Sequence, residues 1–165
     1  MKNKSSLLIA FLLLVCSVAT QAQLKRFSIG PYVEAGFPVG DFQDTHNTGW
    51  GAGLNADIKL VAGFGVTGSV GYMHFGGATV NNFTFNKRAA IPVRIGLKYK
   101  LVSILYVKLE SGSANFVDSD ITGAAFIVAP GVGIRVLGLD VAAKYEAWFR
   151  EGTMGFFGLK AGYNF

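Results

Sequence analysis

Cysteine is almost missing from this chain of 165 residues, with Cys16 the only one. Cys16 lies in an N-terminal apolar stretch, so the chain that follows has no means of forming a disulfide and must be held together by packing and hydrogen bonds. Long apolar runs are missing as well. Beyond residue 22 nothing approaches the ~20 residues that a membrane-crossing helix requires, yet the chain is 51% hydrophobic with a mean hydropathy of +0.40. Apolar content without apolar runs predicts alternation. Charge is sparse, at 15% of residues, and no run of basic residues suggests nucleic acid as a partner. Of the formal charge of +5, Lys2 and Lys4 carry two, which leaves +3 on residues 23–165. What the chain has in quantity is glycine, 22 residues against the usual ~7%. Glycine weakens helices and suits strands that approach one another closely, so a helical fold is disfavoured.

The first segment has the layout of a secretory signal. Lys2 and Lys4 precede the apolar run Leu7 to Val15, and Thr20-Gln21-Ala22 supplies small residues at a cleavage position. Residues 1–22 are therefore expected to be a cleaved signal peptide and residues 23–165 a single domain. A lipoprotein site at Cys16 is the competing reading, disfavoured by the bulky Val15 before it.

The mature chain shows period two throughout, which a strand satisfies and a helix does not. About eight strands are predicted: Phe27 to Phe37, Trp50 to Leu60, Phe64 to Phe75, Arg88 to Leu101, Ile104 to Ser113, Gly123 to Val136, Leu139 to Phe149 and Thr153 to Phe165. The second is the cleanest, with Trp50, Ala52, Leu54, Ala56, Ile58 and Leu60 alternating against Gly51, Gly53, Asn55, Asp57 and Lys59. Links 61–63, 102–103 and 137–138 are tight, whereas 38–49, 76–87 and 114–122 are long and polar. Short and long links that alternate are expected of a membrane barrel with short periplasmic turns and longer outer loops. Pro31, Pro92 and Pro130 fall inside predicted strands, where each removes a ladder donor; a bulge or irregular pairing is expected at each.

One parity collects Glu34, Asp57, Glu110, Asp140 and Glu146 with Arg94, Lys98, Lys108, Arg135, Lys144 and Lys160. The other is apolar on every strand, with aromatics at its two ends: Phe27, Tyr99, Tyr163 and Phe165 at one, Trp50, Tyr72 and Phe149 at the other. A soluble cup-shaped barrel would turn its apolar face inward. Charges inside, an apolar exterior and two aromatic girdles describe a transmembrane barrel instead. The charged lumen reads as a structural salt-bridge plug, with an ion or proton path as the functional alternative. Glycines 51, 53, 71, 131, 133, 158 and 162 share the inward parity and are expected to open space there.

The terminal strand, T-M-G-F-F-G-L-K-A-G-Y-N-F, resembles the closing strand of bacterial outer-membrane barrels. The segments I91-P-V-R-I-G-L-K-Y, L105-Y-V-K-L-E-S-G, A129-P-G-V-G-I-R and A161-G-Y-N-F are similar to those of small PorT-like barrels, in the size class of OmpA/OmpX-type domains. This resemblance implies an all-β, up-and-down antiparallel transmembrane barrel of about eight strands in the outer membrane of a Gram-negative bacterium. It also implies that Tyr163 and Phe165 form part of the signal read by the barrel-assembly machinery. The partners it implies are outer-membrane lipids and that machinery, with a surface or periplasmic protein partner left open.

Chemistry is thin. His74, on the outward parity near the outer rim, is where barrel-type lipid hydrolases place a His-Ser pair, but no serine shares that face beside it. Asp41, Asp44 and His46 match no metal spacing, and Asp118 and Asp120 are equally weak. No cofactor, metal site or catalytic set is expected. A structural or surface-interaction barrel leads, ahead of a narrow channel and of a lipid-modifying enzyme.

Overall fold

The computed structural model describes residues 26–80, 83–118 and 123–165. The predicted signal peptide, residues 1–22 with Cys16, lies outside the described residues, as does Asp120. Eight long strands carry the alternation: β1 (Phe27–Val39), β2 (His46–Lys59), β3 (Phe64–Gly77), β6 (Arg88–Lys100), β7 (Leu105–Phe116), β8 (Ala124–Val136), β9 (Leu139–Phe149) and β10 (Thr153–Tyr163). Between β3 and β6 a two-stranded hairpin pairs β4 (Thr79–Val80) with β5 (Phe83–Thr84). All neighbours are antiparallel, and β1 pairs with β10, Tyr32 opposite Gly162 and Val39 opposite Gly155, so the sheet closes. The fold is all-β: an up-and-down, closed, eight-stranded barrel. Each long strand has 11 to 14 residues, enough to cross a bilayer when tilted.

Closure follows from the sequence locally. At the turn end, Leu137 and Gly138 link Val136 to Leu139, and both take positive φ, 50° and 88°. That is the backbone of a two-residue turn matched to strand twist, and it favours glycine at its second position. At the other end, the loop end, the structure departs from the predicted long loops. The link before β2 contains a short helix, α1 (Asp41–Thr45), and β2 starts four residues earlier than predicted. Two residues, Asn47 and Thr48, lie opposite one on β3, between the pairs His46–Gly77 and Gly49–Phe75. This is a bulge, and Asn47 Nδ2 steadies it by donating to the Gly77 carbonyl at 3.1 Å.

The prolines show the irregular pairing expected of them, as interrupted ladders and not as bulges, and none carries a register shift. Pro92 pairs with Ala114 on β7, but the ladder to β3 is interrupted between Val70–Val93 and Met73–Ala90. Pro130 likewise pairs with Leu109 on β7, while the ladder to β9 breaks between Val128–Ala147 and Gly131–Lys144. Pro31 pairs with Leu54, and the ladder to β10 begins only at Tyr32. Each proline turns its missing donor toward one neighbour, and the ladder skips there without gaining a residue.

Glycines on the inward parity also differ from expectation, since they are not empty space. Gly53 and Gly71 face each other across β2 and β3, and a Cβ on either would collide with the Tyr32 hydroxyl. Gly133 stands in the same relation to Tyr106, and Gly158 to Lys144. These glycines are sockets into which large inward side chains from other strands project. We therefore expect Gly71→Val to destabilise the barrel by about 1–3 kcal/mol through overpacking, and Tyr32→Ala in the same chain to recover part of that loss. Denaturant midpoints of the two variants check it; no recovery in the double variant would mean the socket is wrongly identified.

Candidate functional site

The outer wall is apolar over most of its area, interrupted on β7 by Ser111, Ser113 and Asn115 and on β3 by His74. Val33, Leu54, Ile95, Leu97, Leu109 and Leu159 are more than half exposed, although each would ordinarily be buried. Aromatic residues sit at both ends of this belt. Phe27, Tyr99, Tyr163 and Phe165 ring the turn end, and Trp50, Tyr72 and Phe149 stand toward the loop end, all of them exposed. Several of these rings touch neighbours: Phe64 and Tyr99 at 4.7 Å between centroids, Tyr163 and Phe165 at 5.1 Å, Trp50 and Tyr72 at 6.0 Å. Phe165 is tied to the sheet by its backbone N–H, which donates to the Ile29 carbonyl at 2.9 Å. Asn164 beside it turns inward, buried, and accepts from Asn55 Nδ2 at 2.6 Å.

Inside, the lumen is layered. At the turn end Asp57, Lys98, Arg135 and Asp140 form one cluster. Lys98 Nζ donates to Asp57 at 3.1 Å and lies 3.5 Å from Asp140. Arg135 Nη2 meets both carboxylates, while its Nε donates to Asp140 at 2.7 Å. Tyr106 closes the cluster, donating its hydroxyl to Asp140 at 2.5 Å beneath the Lys98 ammonium, 4.0 Å from the ring centroid. Midway along the barrel is a second, drier cluster. Glu146 accepts from Arg94 at 2.8 and 3.1 Å and from Trp148 Nε1 at 2.6 Å, and pairs with Lys144 at 2.5 Å. Glu34 pairs with Lys144 at 2.8 Å and Arg94 at 3.6 Å. Lys108 and Glu110, on the same strand, pair at 2.6 Å.

Of the eleven residues predicted to form the lumen charge network, ten are brought into ion pairs. Lys160 is the exception. It stands opposite Glu34 across β1 and β10, but that carboxylate is already held by Lys144 and Arg94. Among the described residues no carboxylate lies within ion-pair distance of Lys160. Its ammonium rests instead on the Tyr32 ring, 3.8 Å from the centroid, a cation–π contact.

Toward the loop end the lumen turns apolar, which the alternation did not reveal. Met73, Phe75, Phe116, Ile127, Trp148 and Phe156 fill it, all buried. Phe75, Trp148 and Phe156 meet edge to face at 5.1 to 6.1 Å, the favoured arrangement for rings. Phe42 of α1 drops onto Phe75 at 5.0 Å and caps the stack. A usable signal was present in the pair Phe156-Phe157, which puts an aromatic on each face of β10. Above this floor is a cavity of about 600 Å³ bounded by α1, Arg88, Phe116, Arg150 and Met154.

The weaker candidates stay apart. Asp41 and Asp44 are exposed on α1, while the His46 ring stacks on Phe42 at 4.6 Å and bonds the Thr45 hydroxyl at 2.8 Å. Among the described residues no three His, Cys, Asp or Glu side chains gather as metal ligands. Asp118 accepts from the Ala89 N–H at 2.6 Å. The cross-strand neighbours of His74 are Trp50 and Ala89; neither is a serine.

A closed barrel with a largely apolar exterior, buried ion pairs in its interior and aromatic rims defines the class of transmembrane β-barrels. Comparisons with solved structures agree with that class. A de novo designed transmembrane β-barrel superimposes with a TM-score of 0.59 at 16% identity, over 84% of this chain and 95% of the other. The Yersinia pestis outer membrane protein Ail, in a phospholipid bilayer nanodisc, gives 0.56 at 16% identity, over 82% of this chain and 99% of Ail. At such identities the likeness is one of fold. No protein-family model matches the sequence, and no curated protein does.

Proposed function

We propose that this protein is an integral outer-membrane barrel with a plugged lumen, exported through a cleaved signal peptide, whose role is structural or surface-interacting rather than enzymatic. The observation that carries this reading is the pairing of a largely apolar wall with an interior filled by ion pairs and aromatic rings. An apolar exterior of this extent is stable only in lipid, and a filled interior leaves the loop end as the surface on which a partner would act. The tight turns face the periplasm in this reading, and the loop end with α1 and the β4–β5 hairpin faces outward. Fractionation tests it. The mature chain is expected in the outer-membrane fraction, released only by detergent and migrating differently in a denaturing gel before and after heating. Recovery as a soluble periplasmic monomer without detergent would overturn the membrane reading and favour a soluble cup.

Assembly supplies a second test. In this reading Tyr163 and Phe165 are read by the assembly machinery during insertion, so Phe165→Asp is expected to lower the yield of inserted barrel several-fold. Asn164 is a separate matter, because its side chain is buried and bonded to Asn55. Asn164→Ala should therefore lower the unfolding free energy of purified barrel, read by denaturant titration, by about 1–3 kcal/mol, the cost of orphaning a buried polar partner, and affect yield less. Equal yields from the two variants would remove Phe165 from any signalling role.

A further inference from the structure

Charge is distributed unevenly along the barrel axis, and the imbalance converges on one cavity. Among the described side chains of the turn end the acids are Asp57 and Asp140, whereas Arg26, Lys59, Lys98, Lys100 and Arg135 are basic. Both acids are already engaged, by Lys98 and Arg135. Lys59 and Lys100 close β2 and β6 on the same parity as Asp57 and Lys98, so they stand at the mouth of the lumen and not on the lipid wall. Both are exposed, and no described carboxylate lies within ion-pair distance of either. They border a cavity of about 450 Å³ that also takes in Ser103, Tyr106 and Arg135.

We propose that this turn-end mouth binds a phosphate monoester group. Two uncompensated ammonium groups call for about two negative charges, and a phosphate monoester carries about −1.5 to −2 at pH 7; a single carboxylate would balance only one of them. Ammonium groups act as point charges with three donors each, which suits the tetrahedral oxygens of phosphate. The Ser103 hydroxyl adds a neutral donor at the cavity wall. Arg135 and Lys98, committed to Asp57 and Asp140, form a nearly neutral floor that keeps the anion at the rim. The cavity lies within the size range of small-molecule sites, roughly 300–1,000 Å³. A lipid headgroup and a soluble phosphate ester share this chemistry.

Refolded protein in a maltoside detergent, free of phospholipid, is titrated with methyl phosphate and followed calorimetrically at low salt. Saturable binding of one equivalent is expected. Lys59→Gln and Lys100→Gln should each weaken it by about tenfold or more, as expected for a lost charged hydrogen bond. Lys87→Gln, which removes the same charge just before β6 at the loop end, should leave it unchanged. Heat-dependent gel migration shows that each variant is folded. Repeating the titration in nanodiscs with and without phosphatidic acid identifies the source: loss of methyl phosphate binding only when that lipid is present assigns the site to a headgroup, and undiminished binding assigns it to a soluble ester. No saturable binding by the wild type, or equal weakening by Lys87→Gln, overturns the proposal.

Discussion

Glu146→Ala is expected to lower barrel stability by about 3–5 kcal/mol, the usual consequence of removing one partner from a buried ion pair. Glu146 is completely buried, and its carboxylate serves Arg94, Lys144 and the Trp148 indole at once. Without it, Glu34 is left to face two buried cations with a third, Lys160, opposite it on β10. Glu146→Gln keeps the volume and an acceptor for Trp148 but loses the charge, so it should fall between wild type and alanine. Replacing the set together, Arg94→Met with Lys144→Met, Glu146→Leu and Glu34→Leu, should return much of the stability, because desolvating the ions offsets most of what their pairing contributes. Urea titration in lipid vesicles checks the series, with Trp148 as fluorescent reporter and Trp50 changed to Phe. A midpoint for Glu146→Ala indistinguishable from wild type would mean that water reaches the cluster and screens it.

The second large effect concerns conduction: in a planar bilayer, the refolded barrel is expected to be silent or to show only rare small events. A ring of eight strands leaves an interior that side chains can fill, whereas aqueous porins use roughly sixteen to eighteen strands. Here two barriers lie in series. The aromatic stack of Phe75, Trp148 and Phe156 under Phe42 blocks the loop-end half, and the clusters around Glu146 and Asp140 occupy the rest. Glycine gaps that would have admitted a thread of water are taken up by Tyr32, Tyr106 and Lys144. Steady single-channel currents of porin size would refute the plug and promote the channel reading.

Tyr32 illustrates how far local pattern reaches. Its parity places it inside, but the glycines that receive it, 53 and 71, belong to two other strands and come under it only when β1, β2 and β3 are paired in register. Lys160 makes the same point for charge. Its parity puts it among the lumen ions, yet which acids remain for it depends on the reach of Lys144 from β9 and Arg94 from β6. The aromatic floor is hidden from local pattern for a related reason: alternation assigns a residue to a face, not to a height. Phe75 lies far along the chain from Trp148 and Phe156, and the three meet because each occupies the loop-end half of its own strand.

What the sequence determined by itself was everything that depends on neighbours one or two residues away. Period two assigned each side chain to the wall or the lumen, glycine and polar clusters marked the links, and the alternation of tight and long links set the up-and-down order. Tertiary structure alone decided what depends on strands meeting at a given stagger. It settled which acid holds which base, that inward glycines are sockets and not gaps, that α1 lowers Phe42 into the mouth, and that the prolines interrupt ladders without shifting register. The physical reason is that a strand's faces follow from backbone geometry within the chain, whereas closing the barrel fixes contacts between residues as far apart as Asn55 and Asn164 through hydrogen-bond register and stagger that no single strand encodes.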